Sequence, residues 1–261
     1  MHVAESGQGR PIIFLHGWSS HGGYFAPQAA LAAGYHLLMP DLPGHGHSRT
    51  GSADLGIPAL AAALHDLIQS RRLQDIVLVG WSMGALVGFE YIGRYGSDAL
   101  AGMVIEDMTA KIINDAEWKL GIRNGFNAMQ SAAAVRAMRS DWPTYATHSA
   151  PRLFAAASPA TDGLQSWAEA EIIKNDGATM AALWASMAKQ DYRHLLPRLR
   201  LPVLLIHGGD SQLYEPAVSH WMQANIPGAD RICLERAGHS PHLEMPAEFN
   251  AALGGFLARL P

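Results

Sequence analysis

Short apolar runs alternate with helical patterns along the first part of the chain. The runs at 11–15, 35–40, 76–79 and 100–105 consist mainly of Val, Ile, Leu and other apolar residues. Runs of this length without polar alternation indicate strands that are buried on both faces. A helix is predicted from Ile57 to Leu73, because its leucines recur on one face. Strands that alternate with helices predict a parallel, doubly wound sheet.

The pattern changes from about Met108 to about Pro197, where strand runs stop. Helical stretches rich in Ala, Met and Trp take their place. The predicted elements that follow are strands at 201–206 and 231–234 and helices at 216–225 and 246–260. We therefore predict one α/β core, made of residues 1–107 and 198–261, that carries an inserted helical cap at 108–197.

The third apolar run leads directly into Gly80-Trp81-Ser82-Met83-Gly84, and a helical pattern follows. Strand, sharp turn and helix around Gly-x-Ser-x-Gly predict a nucleophile elbow, with the serine hydroxyl exposed at the edge of the sheet. Gly80 and Gly84 carry no side chain that could clash in so tight a turn. The start of the helix favours negative charge at this place. Ser82 is therefore the predicted nucleophile.

A serine becomes a good nucleophile only when an imidazole takes its proton. His239 follows a predicted strand and a glycine turn, so it is the best candidate for this base, and His242 is the second candidate. His45 and His47 lie in a turn-rich loop, where a structural or solvated role is expected. Two backbone N–H groups must bind the oxyanion, and by position these belong to Trp18 and Met83.

Large apolar side chains near the site and in the predicted cap could line a substrate pocket, although each of them could equally be a packing residue. The candidate substrate-binding residues are Trp18, Trp81, Met108, Trp118, Trp142 and Trp184. Arg123, Arg136 and Arg139 could bind an anionic substrate, but a solvated surface position is the better expectation for them.

Composition narrows the possible partners and cofactors. Of the 261 residues 49% are hydrophobic, and the net charge is −4, so neither a nucleic acid nor an anionic membrane is an expected partner. No apolar run is long enough to span a bilayer. The single cysteine, Cys233, excludes an internal disulfide and is expected to be a buried structural thiol. Without His-Glu-x-x-His or another ligand set, we expect no metal and no cofactor.

The first residues lack the basic and apolar regions of a signal peptide. The expectation is a cytoplasmic protein, as a monomer or a homodimer, that acts on a small-molecule substrate.

The order of these motifs resembles the α/β-hydrolase superfamily nearly from end to end. The stretches that carry the resemblance are His16-Gly17-Trp18, Asp41 to Ser48, Gly80 to Gly84, His207 to Asp210 and Gly238 to Glu244. Within the superfamily, the first and third stretches are most similar to the pimeloyl-carrier-protein methyl ester esterases and related carboxylesterases. The resemblance implies a Ser–His–acid triad and the hydrolysis of small to medium acyl esters through an acyl-enzyme on Ser82.

The resemblance leaves the acid of the triad open. Family members commonly place it three residues after the glycine that ends the penultimate strand, and here that position is Ser211. Asp210 lies one residue earlier. A minority of the family carries the acid after the preceding strand of the sheet, which corresponds to Asp107. Asp107 and Asp210 are both candidates, and Glu235 and Glu244 are more remote ones.

Other functions occur on the same fold. A lactonase, a carbon–carbon bond hydrolase and a cofactor-free haloperoxidase are the alternatives with catalysis. A ligand-binding receptor without catalysis is the alternative from another class, and an intact Ser82 and His239 argue against it.

Overall fold

The computed structural model describes residues 1–48, 55–157 and 163–261. In these residues seven strands form one sheet, in the order β1-β3-β2-β4-β5-β6-β7. The strands are β1 (Val3–Ser6), β2 (Arg10–Leu15), β3 (Tyr35–Pro40), β4 (Ile76–Trp81), β5 (Leu100–Glu106), β6 (Val203–Gly208) and β7 (Asp230–Leu234). Only β1 pairs antiparallel, so the sheet is mostly parallel, as the alternation of apolar runs and helices predicted.

Helices pack against the sheet, and further helices occur in the segment between β5 and β6. They are α1 (Ile57–Arg71), α2 (Met83–Tyr95), α3 (Ala128–Ser140), α4 (Trp142–Ser149), α5 (Leu164–Ile173), α6 (Gly177–Met187), α7 (Pro216–Asn225), α8 (Pro241–Glu244) and α9 (Pro246–Leu257). Short 3-10 helices occur at Gly22–Ala33, Ala150–Leu153 and Leu196–Arg198. None of the helices in the described ranges is long and apolar enough to cross a membrane.

Strands β4 and β5 lie at the centre of the sheet and are buried along their whole length. Leu15 of β2 and Ile105 of β5 both lie beside Gly80, which places the ends of three strands together. Because all three strands are parallel, their carboxyl ends meet at one edge of the sheet. The loops that follow β2, β4 and β5 therefore share that edge.

The elements absent from the prediction include β1, the 3-10 helix at Gly22–Ala33 and the four-residue helix α8. β1 is an exposed antiparallel edge strand with no apolar run, so hydrophobicity gives no sign of it. The 3-10 helix at Gly22–Ala33 contains Pro27 and is only weakly amphipathic, so it lacks the periodicity that predicts a helix.

In the described part of the segment between β5 and β6, helices occur from Ala128 onward, as composition suggested, whereas residues 107–127 form a loop without a helix. Helix α3 packs against α6, and α4 packs against α5. Met138, Trp142 and Met180 are buried among them. The division of the chain into a core and a cap at residues 108–197 stays a prediction.

Buried histidines join the loops that follow β2 and β3. His16 Nε2 accepts a hydrogen bond from the Leu42 N–H at 2.9 Å, and His45 Nε2 accepts one from the Ser19 N–H at 3.3 Å. Burial lowers the pKa of the His45 imidazole to about 4, and it also lowers the pKa of His16 well below its ordinary value. Both rings are therefore neutral and serve to position the loops.

The neutral state of His45 makes stability depend on pH. Between pH 6.5 and about 4 the unfolded chain binds a proton that the native His45 does not bind. We expect the free energy of unfolding to fall as the pH decreases through this window, by up to about 3 kcal/mol from His45, and then to level off. Urea unfolding at several pH values measures this slope.

The variant His45→Gln should reduce that slope, since an amide oxygen can still accept the Ser19 N–H bond but does not titrate. His148→Gln is the matched control, because His148 is exposed on α4. A His45→Gln protein with the slope of the wild type would contradict the assignment.

Candidate active site

Ser82 lies at the junction of β4 and α2 in a strained backbone conformation. Its φ is +52° and its ψ is −118°, a combination that residues other than glycine rarely adopt. The surrounding packing holds it there. A Cβ at Gly84 would lie 2.0 Å from the Leu15 carbonyl oxygen, and one at Gly80 would lie 2.6 Å from the Ala85 nitrogen. Glycine is therefore required on both sides of the serine.

His239 is held by its backbone and by one carboxylate. The Trp81 indole N–H donates to the His239 carbonyl at 2.7 Å. The His239 Nδ1 lies 2.6 Å from Oδ2 of Asp107, and both side chains are 2% exposed. His239 and Ser82 line the same cavity. A carboxylate on Nδ1 leaves Nε2 as the ring nitrogen that can take a proton.

Asp107 directly follows β5 and is fixed by further hydrogen bonds. The Gly208 N–H donates to its Oδ1 at 3.3 Å, and the Ser211 hydroxyl donates to its Oδ2 at 2.7 Å. The Ser211 oxygen accepts the N–H groups of Leu213 and Tyr214, both at 3.2 Å, so its own proton is directed to Asp107. Ser211, at the usual acid position of the family, thus supports an acid placed on the neighbouring strand.

The other candidate acids have different partners. Asp210 Oδ2 accepts the Ala157 N–H at 2.6 Å, and the Glu235 carboxylate interacts with the Cys233 thiol. Glu244 accepts the N–H groups of Ala155, Gly238 and Ser240, although burial raises the pKa of its carboxyl. Among the described residues, only Asp107 has a carboxylate oxygen hydrogen-bonded to the His239 ring. The geometry therefore favours Asp107 over Asp210.

His242, the second candidate base, belongs to a separate buried pair. Its Nδ1 lies 2.8 Å from Glu106 Oε1, and its backbone N–H donates to the same oxygen at 2.9 Å. Both side chains are fully buried, against Trp81 and Phe25. His242 does not line the cavity at Ser82, so a structural role fits it better than that of a base.

The two expected oxyanion donors, the N–H groups of Met83 and Trp18, belong to two elements at the edge of the sheet where Ser82 lies. Met83 is the first residue of α2, so its N–H has no acceptor within the helix. Trp18 follows β2 in the loop that reaches the same edge of the sheet and lines the cavity. Free N–H groups at these places would favour an oxyanion on a substrate held at Ser82.

The cavity at Ser82 has about 690 Å³ of empty space, counting the solvent at its mouth. Its wall is mainly aromatic and aliphatic and includes three of the predicted substrate-binding residues, Trp18, Trp81 and Trp184. Trp142 packs behind Trp18, with ring centroids 5.6 Å apart. Apolar walls with few polar groups are typical of a site for a small ligand.

Three predicted substrate-binding residues do not line the cavity: Trp142, which packs against Trp18, and Met108 and Trp118. Met108 is buried beside Tyr214, whose hydroxyl donates to its sulfur at 3.2 Å. Trp118 packs against Trp221, with ring centroids 4.8 Å apart, and the Arg193 guanidinium lies 5.0 Å from its ring. Neither lines the cavity at Ser82. Their position in a segment rich in Trp and Met suggested the pocket, but both residues lie in the loop between β5 and α3, where their side chains make packing contacts.

Sequence reasoning did not find several wall residues. Tyr145, Arg152 and Tyr214 line the cavity. Burial raises the pKa of Tyr214, so its hydroxyl keeps its proton at neutral pH. No motif marks these positions, because they come from a helix, a 3-10 turn and a loop that meet only in the folded chain.

The predicted arginines lie outside the cavity. Arg123 pairs with Glu215 at 3.1 Å and donates to the Tyr214 carbonyl, also at 3.1 Å. Arg136 and Arg139 are exposed on α3, in agreement with a solvated surface position. Anion binding at the cavity would need a different residue.

One cluster of side chains has the composition of a metal site, and the Cys233 thiol has the chemistry of a nucleophile. His2, Asp41 and His47 place one potential ligand atom each within 4.8 Å of one another. However, the Asp41 carboxylate already accepts the N–H groups of Gly22 and His47, so loop positioning accounts for it. Burial raises the pKa of the Cys233 thiol to about 12, so it carries no thiolate at neutral pH.

Comparisons with known proteins identify the family. The model of the alpha/beta hydrolase family matches residues 12–252. The pimeloyl-[acyl-carrier protein] methyl ester esterase of Xanthomonas oryzae pv. oryzae (strain MAFF 311018) is 27% identical over 264 residues, which cover all of both chains.

Solved structures share the fold. The esterase from Exiguobacterium antarcticum superposes with a TM-score of 0.91 at 21% identity, covering 98% of this chain and 95% of that one. A thermophilic esterase from Thermogutta terrifontis superposes with a TM-score of 0.86 at 25% identity, covering 99% and 93%.

Proposed function

We propose that this chain, which belongs to the alpha/beta hydrolase family and is a carboxylic ester hydrolase, forms an acyl-enzyme on Ser82. The observation that carries the proposal is the 2.6 Å hydrogen bond between Asp107 and His239, beside a strained serine that lines the same cavity. Acyl transfer needs a nucleophile, a base and a carboxylate that orients the base, and here they follow β4, β7 and β5 at one edge of the sheet.

In the first half of the reaction, the Ser82 hydroxyl oxygen attacks the ester carbonyl carbon. His239 Nε2 takes the hydroxyl proton, and the Asp107 carboxylate stabilises the imidazolium. The N–H groups of Trp18 and Met83 bind the oxyanion. When the tetrahedral intermediate collapses, the carbon–oxygen bond to the alcohol breaks and the imidazolium gives its proton to the leaving oxygen.

In the second half, water repeats these steps on the acyl-enzyme. His239 removes a proton from the water as its oxygen attacks the acyl carbon. The bond to Ser82 then breaks, the serine recovers its proton from His239, and the carboxylic acid leaves. All proton transfers pass through one imidazole.

The substrates of this reaction would be small to medium acyl esters. The aromatic and aliphatic wall around Ser82, with Trp18 and Trp184, supports an apolar acyl or alcohol group. Residues 108–197 would act as a cap, because Tyr145 and Trp184 reach the cavity from helices of that segment. The esterase from Xanthomonas oryzae makes methyl esters a natural first series.

A covalent label tests the nucleophile directly. An organophosphate should add once per chain, at Ser82, and should abolish the hydrolysis of p-nitrophenyl esters in proportion to the fraction labelled. The reaction depends on His239 as base, so the folded variant His239→Gln should label far more slowly. Mass spectrometry of peptides locates the adduct.

Other outcomes of these assays would point to other functions. Neither labelling nor turnover would indicate a ligand-binding protein. Lactones or ring-fission diketones turned over much faster than any ester would indicate a lactonase or a carbon–carbon bond hydrolase.

A further inference from the structure

We propose that Arg152 makes the Ser82 cavity selective for esters that carry a second, anionic group, namely a carboxylate at the far end of an apolar chain. The inference rests on the proposed ester hydrolysis and specifies its substrate class. Arg152 belongs to the short 3-10 helix Ala150–Leu153 and lines the cavity together with Ser82 and His239. Among the described residues that line it, Arg152 is the only Lys, Arg, Asp or Glu.

The guanidinium of Arg152 has no acidic partner among the residues that the structure describes. In the described ranges, no carboxylate lies within ion-pair distance of it, and it donates no hydrogen bond to another residue. Arg123, in contrast, is engaged by Glu215 and by the Tyr214 carbonyl. Arg152 thus retains the donors with which a guanidinium binds a carboxylate through two parallel hydrogen bonds.

The backbone of Arg152 is tied to the catalytic loops. The Gln212 side chain donates to the Pro151 carbonyl at 3.0 Å and to the Phe154 carbonyl at 2.9 Å. Gln212 directly follows Ser211, which donates to Asp107. The backbone that carries the Arg152 side chain is therefore held at a defined place relative to the triad, and the exposed guanidinium reaches the cavity from there.

Arg152 lines the cavity beside apolar and aromatic side chains. Tyr145 and Leu153 line the same cavity, and burial raises the pKa of Tyr145 while the nearby Arg152 charge opposes that rise. The Arg152 side chain is itself exposed, so water and salt partly screen its attraction for a carboxylate. The aliphatic wall fits the chain of such a substrate between the ester at Ser82 and the carboxylate at Arg152.

The matched substrates are monomethyl esters of linear dicarboxylic acids and methyl esters of monocarboxylic acids of equal chain length. We expect the wild type to favour the dicarboxylic half-esters at one range of chain lengths. Arg152→Met should lower kcat/KM for those half-esters about 10-fold and change it less than about twofold for the neutral esters. Arg152→Lys keeps the charge but cannot form the two parallel hydrogen bonds. Its kcat/KM for the half-esters should therefore lie between the values of the wild type and of Arg152→Met.

The control variant is Arg139→Met, which removes the same charge from an exposed position on α3 outside the cavity. It should leave both substrate series unchanged. High salt should reduce the advantage of the half-esters in the wild type but not in Arg152→Met. A second series, acetate esters of linear hydroxy acids, places the carboxylate on the alcohol side and tells which side of the ester faces Arg152.

Binding without turnover separates this inference from the proposed reaction. In a Ser82→Ala background, quenching of tryptophan fluorescence should report tighter binding of half-esters than of neutral esters, and Arg152→Met should remove the difference. Hydrolysis of neutral esters with no selectivity for either anionic series would overturn the role of Arg152 and leave the proposed function intact. Failure to hydrolyse any ester, with selective binding retained, would overturn the proposed function alone.

Discussion

Ser82→Ala is expected to lower kcat for ester hydrolysis by about 10⁵- to 10⁶-fold while the fold is retained. This expected decrease in kcat is taken from serine proteases, in which removal of the nucleophile lowers kcat about as much as removal of the whole triad. Alanine fills the same space as serine without the oxygen, and the turn keeps Gly80 and Gly84, so the strands and α2 should be unaffected. Hydrolysis of p-nitrophenyl esters, together with circular dichroism, measures both effects.

The variant Ser82→Gly is the matched control for backbone strain. Glycine adopts a φ of +52° without penalty, so Ser82→Gly should be more stable than Ser82→Ala by about 1 kcal/mol after the entropy cost of glycine. Both variants should be equally inactive. Wild-type turnover in either of them would show that the serine at this turn is not the nucleophile.

Asp107→Asn should lower kcat by about 10⁴-fold, whereas Asp210→Asn should have little effect. An asparagine at 107 can present its amide N–H₂ to His239 Nδ1, which favours the wrong tautomer of the imidazole for a base at Nε2. Within the described ranges Asp210 accepts the Ala157 N–H and has no bond to the His239 ring. Steady-state kinetics of the two variants on one ester compare them directly.

A relocation variant sharpens this comparison. In the double variant Asp107→Asn with Ser211→Asp, a carboxylate returns to the position that the family commonly uses. The Ser211 oxygen lies 2.7 Å from Asp107 Oδ2, and the N–H groups of Leu213 and Tyr214 could hold the new carboxylate. We expect the double variant to regain part of the activity lost in Asp107→Asn. A strong loss in Asp210→Asn, with Asp107→Asn fully active, would assign the acid to Asp210.

Much of the fold was predictable because it depends on local pattern. The buried runs of β2, β3, β4 and β5 are continuous apolar stretches, and most predicted helix and strand ends agree with the structure to within a few residues. The exposed edge strand β1 was not predictable, because an antiparallel edge gains its order from pairing with β3 and carries no apolar face of its own.

The candidate site was only partly predictable. Gly-x-Ser-x-Gly after a strand singled out Ser82, and a glycine turn after a late strand singled out His239, since both signals are local. Trp118, from the same segment as Trp184, was assigned to the pocket and instead packs on Trp221. Trp118 lies in the loop between β5 and α3, whereas Trp184 lies on α6. Which side chains reach the cavity depends on how loop and helices pack in the folded chain, and composition does not record that.

By itself the sequence determined the parallel sheet, the elbow at Ser82 and the choice of His239 as the favoured base. It left Asp107 and Asp210 open. Only the tertiary structure decided which carboxylate meets the imidazole, since Asp107 and His239 are 132 residues apart and a hydrogen bond depends on the direction of each side chain. From the sequence alone the role of Ser211 was open, and in the folded chain its hydroxyl donates to Asp107. Local periodicity specifies strands and turns, whereas contacts between distant loops are specified only when the whole chain has packed.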